Sequence, residues 1–548
     1  MGATEDGFDD LLTSIGFGPW QIIGISATLL VVAQIPIHQV GSPFLNGPMS
    51  FRCSPTPPSE ELSRVPDLRK ANGTYFNNKC LEVPMDFRNN IASISSNGTA
   101  HFTGLASCPY VEYDTSIFAS TIYSDWHTIC EQEYMRPLYQ MVYNTGGLIG
   151  STMCGHIGDK LGRKASILIG SVGHLIAVVL MLTIPSYPIV LTMRFILGVM
   201  VSVMLLPSWS LALEVSLPNQ RSLVGMLMGL PYSFFTSVNA GVACYLRTWE
   251  YILAVGICPG VILIFLVLFL DESPRWLIQR GREEEAIQVL NRAVKLNKSK
   301  LSTPLDFTVR KLSQAGTSSE RRTADGEETS SRSALRELFR YIRSPAMRLI
   351  IILTTPLWFI QSFLYLSVSI NANNFTTTSP FLYLALTGAM DASAIILSTP
   401  LATRLGRKTM VFGGMFGGAL FLLVEQFVPT DFGWAKWVFV MVGFLLIGSA
   451  FQVNFIYGPE LFPTEVRTRG FGFLNLISQA GFVCTPIVTE SLAKNVWWAG
   501  GVLFGIAGML GSLTVLPLPE TRNMPLAETL QDAENRMKKS EDKPISDS

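Results

Sequence analysis

Charge is scarce in this chain. Asp, Glu, Lys and Arg make up 15% of its 548 residues, where a soluble domain carries nearer a quarter. The apolar surplus exceeds what one globular core can hide, because single cores stop growing near about 250–300 residues. Stretches of about twenty residues with almost no charge recur, the length that crosses hydrocarbon. Buried strands of a large α/β enzyme would run only about four to eight residues. An excess of one sign is also lacking: basic and acidic residues number 41 each, which offers no basic surface to nucleic acid. There is no G-x4-G-K-[ST] loop for nucleotide phosphates, no cluster of zinc ligands and no nucleophile triad. ATP-driven pumping and catalysis therefore have no support, and no cofactor or metal is expected. The basic start of a signal peptide is missing as well. Glu5, Asp6, Asp9 and Asp10 precede the first apolar run, which reads as a retained span.

What is present predicts an all-α polytopic membrane protein of about twelve transmembrane helices in two six-helix halves. The first span is expected over 21–41. Five more follow over 138–158, 165–184, 187–211, 222–246 and 250–270. After a polar break come 346–370, 379–402, 409–427, 435–458, 469–490 and 496–517. The chain thus divides into an N-terminus (1–20), a first helix (21–41), a hydrophilic loop (42–134), the rest of the N-terminal half (138–270), a linker (271–345), a C-terminal half (346–517) and a tail (518–548).

The loop holds Cys53, Cys80, Cys108 and Cys130 and the glycosylation sequons at Asn72 and Asn97; a further sequon, Asn374, follows the seventh span. Four cysteines in one soluble loop predict two disulfides in an oxidising compartment, with three pairings open. Cys154, Cys244, Cys258 and Cys484 lie in or near apolar runs and read as small hydrophobes. Positive charge tests the topology. Arg163, Lys164, Arg221, Arg404, Arg407, Lys408, Arg467, Arg469, Arg536, Lys538 and Lys539, and a linker with 15 Arg/Lys against 11 Asp/Glu, fall on one side if both termini are cytosolic, as the positive-inside rule expects. The loop sequons then face outward, and the linker sequon at Asn297 stays unmodified. The Ser/Thr/Arg/Glu-rich stretch 312–334 predicts disorder.

An internal repeat organises the rest. G-H-I-G-D-K-L-G-R-K (Gly155–Lys164) is echoed by R-L-G-R-K (Arg404–Lys408), with Arg163 and Arg407 244 residues apart. E-x6-R occurs at Glu214–Arg221 and again at Glu460–Arg467, 246 residues apart. Nearly equal offsets predict two related halves. A duplicated membrane body suits alternating access, in which one half rocks against the other around a central site. Gly155 and Gly162 are expected to allow close helix approach and a tight turn. Asp159 is expected to accept from helix N-terminal amides or to pair with a base. Glu214 with Arg221, and Glu460 with Arg467, are expected to latch helix ends and to hold one state of the cycle. Arg194 and Asp391 are charges inside spans, each needing a partner or a polar cavity.

The motifs carry a resemblance. Gly155–Lys164 resembles the signature between spans two and three of the major facilitator superfamily. The whole length is similar to the organic anion/cation transporter family of solute carriers. The similarity is carried by D-L-L-T-S-I-G-F-G-P-W-Q (Asp10–Gln21), Y-D-T-S-I-F-A-S-T-I-Y-S-D-W-H-T-I-C (Tyr113–Cys130) and D-E-S-P-R-W-L (Asp271–Leu277). It continues through Glu460, Leu461, Pro463, Thr464 and Arg467 and through L-P-E-T-R-N-M-P-L-A-E-T-L (Leu518–Leu530). The resemblance implies an alternating-access plasma-membrane carrier or exchanger that moves small organic anions with broad specificity, with a glycosylated loop after span one and a loop and tail closer to the anion branch; an organic cation or zwitterion carrier of the same fold is the alternative, and a non-transporting receptor a lesser one. Exchange for an intracellular organic acid such as a dicarboxylate, or uniport, fits the family; the lipid bilayer is the other expected partner.

That resemblance also implies a central cavity lined by spans one, four, five, seven, eight, ten and eleven, with Trp358 and Tyr365 as its aromatics. Tyr232, Phe451, Phe455 and His38 are further candidates to hold flat organic groups. At two positions the chain departs from the anion branch: Gln479 stands where that branch resembles an arginine, and Ile395 where it often has a lysine. A pocket with fewer bases attracts anions less, which leaves a weak acid, a zwitterion or a neutral compound as alternatives. His38 is read as a pH-responsive group or, more simply, as polar packing.

Overall fold

A computed structural model of the chain describes residues 2–54, 110–299, 305, 309, 310, 344–371, 379–495 and 499–541, except 465, 523, 525, 526, 528 and 529. The expectations for Asn72, Asn97, Asn374, Cys80, Cys108 and the stretch 312–334 lie outside these residues. The side chain of Cys53 does too. Cys130 is disulfide-bonded, and Cys154, Cys244, Cys258 and Cys484 are free.

The fold is helical. In chain order the principal helices are α1 (Gly2–Ile15), α2 (Pro19–Ala33), α3 (Ile35–Gln39), α4 (Met135–Leu161), α5 (Arg163–Thr183), α6 (Tyr187–Val215), α7 (Arg221–Leu227), α8 (Leu230–Leu246) and α9 (Trp249–Phe269). The linker forms α10 (Pro274–Gln279) and α11 (Glu283–Asn297). Then come α12 (Pro345–Ile370), α13 (Pro380–Leu405), α14 (Arg407–Glu425), α15 (Gly433–Leu461), α16 (Arg467–Asn495), α17 (Ala499–Leu513) and α18 (Leu530–Glu541). Among the described residues nine helices are long and apolar enough to cross a membrane, with α2 and α3 counted as one. The runs at α4, α7–α8 and α17 are also helical, but more polar, interrupted or shorter. The first predicted span is broken at Gln34, because Pro36 cannot donate to the helical ladder. The loop closes on a hairpin of β1 (Phe51–Ser54) and β2 (Tyr110–Tyr113), paired antiparallel with Phe51 opposite Tyr113.

Two sharp turns link helix pairs. Gly162, between α4 and α5, has φ +98°, and Gly406, between α13 and α14, has φ +99°. A side chain is strained in that region, which explains the repeated glycine. Close helix approach occurs elsewhere than expected. A Cβ on Gly155 would meet nothing within 4 Å, so its proposed packing role is corrected. The contact between α4 and α6 is made at Gly146 and Gly198, where a Cβ would overlap the carbonyls of Phe195 and Tyr143.

The described first part of the linker packs against the N-terminal helix. α1 buries Phe8, Leu11, Leu12 and Ile15 in a cluster shared with Trp276, Leu290 and Ala293. Asn297 donates to Gly16 O at 3.1 Å and to Gln21 Oε1 at 2.9 Å, so this sequon asparagine is part of the packing. The N-terminal helix and the linker helices α10 and α11 therefore share one face, here the terminus face; residues 42–54 and 110–134 lie at the opposite, loop face.

Gly198→Leu should lower the melting midpoint of the purified protein, since forcing side-chain atoms between two backbones costs about 1–3 kcal/mol. Gly155→Leu should leave it unchanged. Equal effects at the two positions would refute this packing account.

Candidate functional site

The halves meet along two seams. Along the first, α8 lies against α13: Ser233 Oγ donates to Asp391 Oδ2 at 2.6 Å, and Ser237 Oγ donates to Ala385 O at 2.9 Å. Along the second, α4 lies against α16: Asn144 Nδ2 donates to Phe482 O at 2.7 Å, and Arg136 and Glu490 pair at 3.7 Å. All these bonds lie between mid-helix and the loop face. There, Phe381 of α13 also stacks with Phe44 and packs edge-on to Phe118, both at 5.4 Å.

At the first seam a small cavity is lined by Val40, Tyr232, Tyr365, Phe444 and Asp391. Asp391 is buried; its Oδ1 has no hydrogen-bond partner, and neither has the hydroxyl of Tyr232. Tyr365 stacks on Phe451 at 4.7 Å and 9° and on Phe444 at 5.5 Å. Phe451 meets Phe455 edge-on at 5.1 Å, and Phe455 meets Trp358 at 5.4 Å. Four of the predicted aromatics thus form one continuous ladder, worth about 0.5–1.5 kcal/mol per contact beyond buried area.

Other expected site residues are placed differently. Trp358 is 1% exposed and packed against Gly458 and Phe471, so it faces no open space here. His38 is not at a cavity mouth. Its ring packs edge-on to His174 at 4.9 Å, and its carbonyl accepts from Arg194 at 2.9 Å. Arg194, fully buried, also donates to Gln140 Oε1 at 2.9 Å and stands over the rings of Tyr139 and Tyr143 at 4.1 and 4.5 Å. Carbonyl oxygens and π-faces offset its burial in place of a carboxylate. Gln479 is half-buried near Gly147 of the other half, and Ile395 packs toward Gly229. Both charge-selectivity positions therefore lie on the seams.

The terminus-face motifs form two related lattices, each inside one half. In the first half, Glu272 accepts the backbone N–H of Arg163 at 2.8 Å and of Lys164 at 3.1 Å, capping the start of α5. Arg163 pairs with Glu214 at 3.2 Å, while Trp276 Nε1 donates to Asp159 O at 2.9 Å. In the second half, Glu520 accepts the N–H of Arg407 at 2.9 Å and of Lys408 at 3.1 Å, and Arg407 pairs with Glu460 at 3.6 Å. Two expectations are corrected. Glu214 binds Arg163 rather than Arg221, whose partner is Asp9 at 2.9 Å. Glu460 binds Arg407 and Thr521, whereas Arg467 donates to Thr464 at 3.2 Å. Asp159, largely exposed, takes the second of its two expected roles and pairs with Arg163 at 3.4 Å, while Glu272 occupies the helix N-terminus. Burial raises the Glu272 carboxyl above the usual range, against the hydrogen bonds from Ser273, Lys164 and Arg163 that lower it.

Sequence reasoning missed both capping glutamates. The signal was available: L-D-E-S-P-R (Leu270–Arg275) and L-P-E-T-R (Leu518–Arg522) follow the last helix of each half, with Glu272 and Glu520 248 residues apart. It also missed Ser233 and the buried pair in which Asn454 Nδ2 donates to Gln361 Oε1 at 2.6 Å. No spacing rule marks those residues.

Comparison with known proteins fits this geometry. Residues 74–532 match the family described as "Sugar (and other) transporter". The chain belongs to that family. Members of that family are transporters rather than enzymes, and the chain has the all-α fold with multiple long apolar helices that major facilitator proteins share. It is 28% identical to the organic cation transporter protein of Drosophila melanogaster, over 97% of this chain and 95% of that one. It is 29% identical to solute carrier family 22 member 20 of Mus musculus, over 82% and 80%. Solute carrier family 22 member 13 of Homo sapiens is also 29% identical, over 75% and 71%. In fold, this transporter resembles the inward open xylose transporter XylE of E. coli, with TM-score 0.61, 15% identity and coverage of 94% and 98%. An alternating-access transporter of small organic solutes is the activity shared across these relatives.

Glu272→Ala and Glu520→Ala should each destabilise the purified transporter by about 1–3 kcal/mol, because each strands two N–H donors at a helix start. The losses should add, since the sites lie in different halves. Chemical denaturation of the single and double variants checks this; a loss at one site only would contradict the equivalence.

Proposed function

We propose that this chain is a plasma-membrane carrier of about twelve spans that moves small organic ions through the cavity at the α8–α13 seam. Both termini are cytosolic and the 42–134 loop is an outer, glycosylated cap in this reading. The basic residues on the terminus face and the sequons on the loop segment support it. The hydrogen bonds and the ion pair across the seams, from mid-helix to the loop face, support a carrier closed on the outer side.

The observation that carries the cargo reading is Asp391: a buried carboxylate with one oxygen open, beside aromatic faces and bridging the two halves. Taking an ionised carboxylate out of water costs several kcal/mol unless it is paired, so a cationic group is its natural ligand. Tyr365 and Phe451 supply flat surface for the organic part. The cargo is accordingly an organic cation or zwitterion. Anion transport is the second reading, supported by the resemblance of loop and tail to the anion branch. Exchange against an organic acid such as a dicarboxylate belongs to that reading alone.

Uptake of a mixed panel of organic anions, cations and zwitterions by cells expressing the chain tests this. Cations or zwitterions should enter, and Asp391→Asn should reduce their uptake at least tenfold, the equivalent of about 1.4 kcal/mol, at equal surface expression. Gln479→Arg should shift preference toward anions. Entry of anions alone, unaffected by Asp391→Asn, would overturn the cation reading; no change of preference with Gln479→Arg would remove position 479 from selectivity.

A further inference from the structure

Asp391 has a property that cargo recognition does not use: its environment lacks any fixed counter-charge. α8 brings Tyr232 and Ser233 to the carboxyl, and α12 brings Tyr365. α15 brings Phe444 and the backbone of Gly448, where a Cβ would stand 3.7 Å from Oδ1, and the chain after α3 brings Val40. Tyr232 and Tyr365 are the titratable groups facing it, and no cation faces it among the described residues. Hydrogen bonds from the neutral hydroxyls of Ser233 and Tyr365 do not offset the burial of a full negative charge. A neutral carboxyl solves the problem locally. Its O–H supplies a donor where Oδ1 has no partner, and the unpartnered Tyr232 hydroxyl in the same cavity can accept it.

The geometry further ties protonation to the conformational cycle. Ser233 belongs to one half and Asp391 to the other, so their bond exists only while the seam is closed at this depth. When the halves part here, water enters and the carboxylate is solvated. Re-closure then requires that the charge be cancelled again. Two agents can cancel it, a proton or a cationic cargo group, and one carboxylate holds one of them at a time.

We propose that Asp391 is a proton-exchange site, so that this carrier swaps one proton for one organic cation. In the proton step, hydronium in the open cavity gives its proton to a carboxylate oxygen, forming the carboxylic O–H and leaving water. After the halves re-orient, that O–H breaks and water on the other side takes the proton, while the carboxylate electrons become free to hold the cargo cation. No oxidant or further reactant is involved, and each turnover moves no net charge. This rests on the carrier reading above but is testable separately from it.

Infrared difference spectroscopy of the purified full chain reads the proton without needing any cargo. As pH is lowered stepwise, the wild type should gain a protonated-carboxyl C=O band that Asp391→Asn lacks at every pH and Asp391→Glu restores at a shifted frequency. Identical wild-type and Asp391→Asn spectra would overturn the proposal. Proteoliposomes then test exchange with tetraethylammonium as probe. A one-for-one exchange should raise its accumulation roughly tenfold per pH unit of imposed gradient, the limit for one proton, with no response to a clamped potential; Asp391→Asn should lose the pH response. Uptake that ignores the gradient overturns exchange and leaves the carrier reading standing. Absence of uptake for every panel compound overturns the carrier reading, while the infrared result still decides whether Asp391 holds a proton.

Discussion

A single hydrogen bond in a dry place, Ser233 Oγ to Asp391 Oδ2, sets the terms for the rest of this molecule. It joins the two halves at mid-helix, and one of its partners is a carboxyl whose other oxygen is unmet. In low dielectric such a group is costly to leave charged and bare. Closure of the seam is therefore conditional on what the carboxyl holds. Of the other inter-half contacts, Asn144 to Phe482 O, Ser237 to Ala385 O and the aromatic contacts of Phe381 are neutral, and in the Arg136–Glu490 pair each charge already has its partner.

Around this conditional contact the fold is built of unconditional ones. Each half ties its own helix ends together through a glycine turn, a glutamate cap and an arginine–glutamate pair: Gly162, Glu272 and Arg163–Glu214 in one, Gly406, Glu520 and Arg407–Glu460 in the other. Rigid halves with a conditional seam give two discrete arrangements in place of a continuum, because packed cores and interfaces deform little. The N-terminal helix and the linker helices extend the first of these lattices, with Asp9 holding Arg221 and Asn297 holding Gly16.

Much of this architecture was legible from residue order. Apolar runs located the helices to within a few residues, and the two G-R-K turns disclosed the repeat. What escaped had physical reasons. The break at Gln34 required weighing Pro36 against an otherwise unbroken apolar run. The E-x6-R motif suggested a pair between its own ends, yet Glu214 and Glu460 reach across to Arg163 and Arg407, since partners are set by which helix ends converge rather than by spacing. Of the two roles open to Asp159, it pairs with Arg163, and Glu272, distant in sequence, caps α5. Of the candidate cavity residues, Tyr365, Tyr232 and Asp391 converge on one small space. Trp358 and His38 do not, because which side of a helix faces an interface depends on neighbours that periodicity alone does not reveal.

The central claim is that the two halves move as units about the Asp391 seam. Double electron–electron resonance measures this directly, with spin labels at Leu161 and Leu405 on the terminus face and, in a second sample, at Tyr134 and Phe432 on the loop face. All four positions are exposed, and the four free cysteines are replaced beforehand. The account predicts two distance populations for each pair that exchange in opposite senses when pH or cargo is changed, with Asp391→Asn abolishing the response. A single unchanging distance for both pairs, or distances that lengthen and shorten together, would contradict it.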